Sequence, residues 1–139
     1  MIAFDTDVLT EILLGNGDFV ARAAAIPIGE QAVPVIVVEE IMRGRLNVIR
    51  QAESGRAAAT ITRAYELFEE TFRDFRQLHI LSHTPQAEAL YQQWRLQGIR
   101  AATHDLRIAA LCVAHAVRLI SRNRRDFEAL PGLMGEFSE

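Results

Sequence analysis

Lysine is missing altogether: all fifteen basic residues among the 139 are arginines. Any mechanism that needs a catalytic or phosphate-binding lysine is thereby excluded, while arginine's planar fork remains available to phosphate oxygens. A codon bias toward arginine would produce the same pattern, so the arginines alone assign no role. Cysteine is nearly absent too. The single Cys112 excludes an intrachain disulfide and suits a reducing compartment. No apolar run approaches the ~18 residues of a membrane span. The N-terminal stretch also lacks the basic-then-apolar pattern of a secretory signal, so a cytoplasmic location is expected. Repeats, low-complexity tracts and Pro/Gly/Ser-rich linkers are lacking, which predicts one domain over residues 1–139. The formal charge of -3 argues against indiscriminate nucleic-acid binding. What is abundant is apolar residue, 50% of the chain, enough for a packed core.

The patterning alternates between strand and helix. Met1–Phe4 reads as a short buried strand and Val8–Leu14 as a helix ended by Gly15-Asn16-Gly17. Asp18–Ala25 reads as a second helix with Asp18 as N-cap. Val33–Val38 (VPVIVV) is continuous and mostly β-branched, as in a strand covered on both faces, and helical spacing follows over Glu39–Ala52. Arg56–Leu78 reads as one long helix whose stripe of Ala57, Ile61, Ala64, Leu67 and Phe72 is mostly core. His79–Leu81 is a third strand and Pro85–Gln97 a helix closed by Gly98. Thr103–Ala116 is a helix capped by Thr103, and Val117–Ser121 a fourth strand. The tail, 122–139, reads as irregular or as a short helical turn. Such alternation predicts an α/β fold with a parallel sheet, whose ligand crevice lies at the carboxyl ends of the strands.

Acids recur at those ends. Asp5 and Asp7 follow the first strand, Glu39 and Glu40 the second, Asp105 opens the helix before the fourth, and Asn123 and Asp126 follow it. Any one of them would serve as a helix-dipole partner. Together they would repel one another unless a cation neutralises them. Oxygen donors without histidine or cysteine suit Mg²⁺ or Mn²⁺ better than Zn²⁺. Glu40 shares a helical face with Gly44, where a glycine suggests close approach by a ligand or another backbone. Asp105 starts the stripe Ile108, Ala109, Cys112, Val113 and Ala116, which places it at the core rim.

Three stretches, FDTDVL, VVEEIMRG and HDLRIAALCVAHAVRLISRNRRDFEALPGL, resemble in order and spacing the signature regions of PIN-domain ribonucleases, in particular VapC-type toxins of toxin–antitoxin pairs. The resemblance covers nearly the whole chain. It implies a three-layer α/β/α sandwich around a short parallel sheet, and an acidic Mg²⁺- or Mn²⁺-dependent site that hydrolyses RNA phosphodiesters. Asp5, Glu40 and Asp105 match the family's acids. Asn123 stands where a fourth acid is usual, with Asp126 three residues on, and both are further candidate ligands. Thr6 and Ser121 match hydroxyl positions that orient the carboxylates. Asp7 replaces the usual Asn or Ser, and its expected task is to add charge or cap the first helix. The resemblance also implies a homodimer and a small antitoxin partner bound in apolar grooves. Arg43, Arg122, Arg124 and Arg125, with Arg118 nearby, are candidate contacts for RNA phosphates. The rival reading is a catalytically weak PIN-like module that binds RNA or protein, motivated by Asn123. A phosphoacceptor receiver domain, which also places acids around Mg²⁺, would need the lysine this chain lacks.

Overall fold

The computed structural model describes residues 1–56 and 58–139. In chain order the elements are β1 (Ile2–Phe4), α1 (Thr6–Leu14), α2 (Phe19–Ala24), β2 (Gln31–Pro34), α3 (Val35–Glu53), α4 (Ile61–Phe75) and β3 (His79–Leu81). They continue with α5 (Pro85–Leu96), α6 (Thr103–His115), β4 (Arg118–Ser121), α7 (Arg124–Phe127) and β5 (Gly135–Phe137). The sheet order is β3-β2-β1-β4-β5 and every pairing is parallel. This is the α/β fold with a parallel sheet that the alternation predicted.

The order places β1 in the middle. From β1 the chain moves outward through β2 to β3, then crosses back to lay β4 on the other side of β1. The order therefore reverses between β1 and β4, and in open parallel sheets the crevice at such a reversal is where ligands bind. Asp5 follows β1 there. Its N–H continues the ladder to the Ile120 carbonyl at 3.0 Å.

The core is built from the strands and α6. Ala3, Phe4, Ala32, Val33, Leu119 and Ile120 are buried in the sheet. On α6, Leu106, Ile108, Ala109, Ala110, Leu111 and Cys112 are all buried, so this helix is apolar nearly all round and not on one stripe. The predicted stripe erred at its end: Val113 is only partly buried and Ala116, past the helix with φ 56°, is exposed.

Several element boundaries differ from expectation. VPVIVV is divided, ending β2 at Pro34 and starting α3 at Val35. A β-branched residue costs a helix under about 1 kcal/mol, and α3 recovers this by burying Val37 and Ile41, one turn apart. The long helix expected over Arg56–Leu78 is shorter, starting at Ile61 with Thr60 as N-cap. Its core side is Ala64, Thr71 and Phe75, whereas Ile61 and Phe72 are exposed. Ala57 of the predicted stripe lies outside the described residues. Asp18 makes no capping bond, and Ala102, not Thr103, occupies the N-cap of α6. A fifth strand, β5, lies in the segment expected to be irregular. Gly135 allows it to pair closely, since a Cβ there would run into the Leu119 carbonyl.

Candidate active site

Asp5, Thr6, Asp7, Glu40, Asp105, Arg122 and Asn123 line one cleft of about 320 Å³ at the carboxyl ends of the strands. They arrive from the end of β1, the start of α1, the second turn of α3, the first turn of α6 and the segment after β4. Each carboxylate has its own donor. The buried Asp5 accepts the Thr6 backbone N–H through Oδ1 at 2.8 Å and the Ser121 hydroxyl through Oδ2 at 2.7 Å. The Ser121 oxygen in turn accepts the Asn123 N–H at 2.9 Å. Glu40 accepts the Thr6 hydroxyl at 3.0 Å. Asp105 accepts the Asn123 amide at 3.1 Å.

The electrostatics run against these acids. Burial raises the pKa of Asp5 above its ordinary value, and only the Ser121 and Thr6 hydrogen bonds oppose the shift. Burial also raises Glu40, against the Thr6 hydroxyl. Asp105 is pushed up to about 6, first by burial and then by the negative charges of Asp5, Glu40 and Asp126. The cluster thus carries mutual repulsion that the hydrogen bonds only partly offset.

In kind, the donors fit a hard divalent cation: they are oxygens on short side chains gathered where negative charge is uncompensated. They do not close on a common point. Among the described residues, no three His, Cys, Asp or Glu side chains form a group that could hold a metal ion. Each carboxylate is turned toward its own hydroxyl or amide. Asn123 illustrates this. Its Nδ2 donates to Asp105 and to Asp126 at 3.0 Å, while its Oδ1 accepts the Asp126 N–H as the N-cap of α7. The amide oxygen expected to face a cation therefore faces a helix end. Asp126 is tied to Asn123 and does not line the cleft.

The other candidates separate. Asp7 lines the cleft in the first turn of α1, but the capping bond expected of it belongs to Asp5. Glu39, one residue before Glu40, faces away to pair with Arg43 at 2.6 Å and with His104 at 2.9 Å. Arg122 lines the cleft and is held by Glu11 at 2.5 Å. Arg124 donates to the Phe137 carbonyl and so fixes β5. Arg118 and Arg125 are exposed. Gly44 meets nothing within 4 Å where a Cβ would stand, so the expected close approach is not made. Sequence reasoning missed Glu11, whose pairing with Arg122 shapes the cleft rim. Nothing in the local sequence signals it.

No protein-family model matches the chain, and no curated protein does. Solved structures do. A chain in the structure of FitAcB from Neisseria gonorrhoeae matches with a TM-score of 0.75 at 20% identity, over 97% of this chain and 96% of that one. A chain of VapBC2 from Rickettsia felis, bound to a fragment of its promoter DNA, matches with 0.72 at 18% identity over 100% of both. VapBC-5 from Mycobacterium tuberculosis, of the VapBC family of toxin-antitoxin systems, matches with 0.62 at 23% identity over 99% and 96%. The protein therefore has a VapC-like PIN fold, as its three signature stretches implied. Identities this low establish fold and leave the chemistry to the site itself.

Proposed function

We propose that this chain is an endoribonuclease dependent on Mg²⁺ or Mn²⁺ and the toxin of a toxin–antitoxin pair. One observation carries the reading: Asp5, Glu40 and Asp105, from distant parts of the chain, face a single cleft at the strand-order reversal with their charges uncompensated. The chain's own acids disfavour one another there, so the cluster is understandable as a cation site and hard to understand as a stabilising feature.

Asp5, Glu40 and Asp105 would hold the ion directly or through water. A bound Mg²⁺ or Mn²⁺ supplies a more acidic water and offsets charge on a phosphate in displacement. Ser121 and Thr6 fix the Asp5 and Glu40 oxygens, and Asn123 orients Asp105. In the absence of an ion, burial and the charges of Asp5, Glu40 and Asp126 push Asp105 up to about 6, so a cation held here would relieve the strain on this carboxylate. Arg122, at the cleft rim, is placed to receive an RNA phosphate. A small antitoxin and a second copy of the chain are the proposed partners, on the strength of the shared fold. Among the described residues no closed ion-binding group forms, which favours a second reading, a PIN-like module that binds RNA or protein without cutting.

Cleavage of structured RNA with Mn²⁺, comparing wild type with Asp5→Ala, separates the two. Nuclease action predicts cutting by wild type that stops in EDTA and falls at least about a hundredfold in the variant. Equal cutting by both proteins refutes the site, and none by either favours the binding module.

A further inference from the structure

Beside the acidic cleft lies a second pocket of about 570 Å³, and Arg122 lines both. Phe19, at the start of α2, is one of its lining residues. Two guanidinium groups stand over that ring, Arg22 at 5.6 Å from its centroid and Arg122 at 5.8 Å. Each arginine is held by an acid: Arg22 pairs with Glu136 of β5, and Arg122 pairs with Glu11 of α1 at 2.5 Å. All four partners are partly or largely solvent-exposed, so both pairs are weak and exchangeable. The volume is that of a small-ligand site. An aromatic face flanked by guanidinium planes is the composition that takes an unpaired nucleobase and its phosphate.

We infer that this pocket is the subsite for the nucleotide next to the cut, with its base against the Phe19–arginine stack and its phosphate on Arg22 and Arg122. The inference rests on the ribonuclease reading for the words "next to the cut", while the binding surface stands independently of it. Asp18 and Glu139 also border the pocket, so it is not a free-phosphate site. Glu136 and Glu11 occupy the guanidinium groups as phosphate stand-ins until RNA displaces them.

The two ideas fail separately in one set of measurements. The first is fluorescence anisotropy with a mixed-sequence single-stranded RNA of about 12 nucleotides, on an Asp105→Asn background that spares the probe. Phe19→Leu, which keeps apolar volume, and Arg22→Ala should each weaken binding about tenfold. Arg22→Ala should also flatten the salt slope by about 0.7. Glu136→Gln should tighten binding, because it frees Arg22. If Arg22 only braces β5, Glu136→Gln will weaken binding as Arg22→Ala does, and the subsite is overturned. It is equally overturned if Phe19→Leu and Arg22→Ala bind as the background does. The second measurement is cleavage by the otherwise wild-type chain, where Phe19→Leu and Arg22→Ala should raise KM. If the chain without these substitutions cuts no RNA while the binding pattern holds, the nuclease reading fails and the pocket stands as an RNA site. Cleavage with unchanged KM sinks the pocket alone.

Discussion

Asp105→Asn should make the metal-free protein more stable. The Asp105 carboxyl has an ordinary value of 3.8 and is pushed up to about 6 by burial and by Asp5, Glu40 and Asp126. At about 1.4 kcal/mol per pH unit, that gap corresponds to roughly 3 kcal/mol. Asp105 is only partly buried, and solvent screening reduces the figure to about 1–2 kcal/mol. The sign follows from which form the fold prefers. The folded chain holds this proton more tightly than the unfolded chain does. Its stabilising contribution is therefore fully present below pH 3.8 and lost as pH rises through about 6. Above that, the ionised carboxylate is a liability. Asparagine cannot ionise, yet its oxygen still accepts the Asn123 amide.

Thermal unfolding in EDTA at a series of pH values reads this directly. The stability difference between Asp105→Asn and wild type should be close to zero near pH 4, grow through pH 6, and then level at about 1–2 kcal/mol. That is a rise of about 3–6 °C in Tm for a domain of this size. On the proposed cation reading, added Mn²⁺ should reverse the order, since a ligand that binds only the folded form stabilises by mass action and the variant has lost a charged ligand. A variant less stable than wild type throughout, or a difference that does not change with pH, would refute the argument that burial and the neighbouring acids disfavour the ionised Asp105.

Two further outcomes follow from the hydrogen bonds that restrain the cluster. Ser121→Ala leaves the buried Asp5 Oδ2 without its 2.7 Å donor, so urea unfolding at pH 7 should show a loss of about 1–3 kcal/mol that shrinks as the carboxyl is protonated in acid. Thr6→Val keeps the shape of the side chain but removes the hydroxyl that holds Glu40; on the proposed nuclease reading, RNA cleavage should fall about 10–100-fold with the melting temperature little changed, as expected where a partner orients a carboxylate toward an ion.

Legibility in the sequence tracked whether a signal was local. Phe4-Asp5 could be read because an apolar strand that ends in an acid breaks its own pattern. Asp105 could be read because the helix it opens is apolar for two turns. Gly98, with φ 80°, ended its helix as its position foretold. The division of VPVIVV could not be read, since a continuous apolar run has no period to distinguish a buried strand from a buried helix. Nor could β5, three residues long and beginning with glycine, whose existence depends on a close approach to Leu119. Gly44 misled, because local reasoning finds a use for every glycine and this one faces open space. The Arg22–Glu136 pair joins residues 114 apart, a distance over which no spacing rule operates. The orientation of Asn123 was hidden for a different reason. An amide offers an oxygen and an NH₂ alike, and only the two facing carboxylates decide which one turns toward the cleft.

That orientation bears on how the site would work. With Nδ2 against Asp105 and Asp126, Asn123 does what a fourth acid could not: it donates to its neighbours and adds no charge. A carboxylate there would add a further negative charge to a cluster in which Asp105 already reaches about 6. Asparagine at this position therefore lowers the cost of holding the site together without a cation, and it also lowers the charge available to attract one. Fewer charged ligands mean weaker affinity for a hard cation, so a chain with this residue set should need more of the ion to act than one carrying a fourth acid. The same amide that steadies the neighbouring acids thus raises the metal concentration that the proposed activity needs.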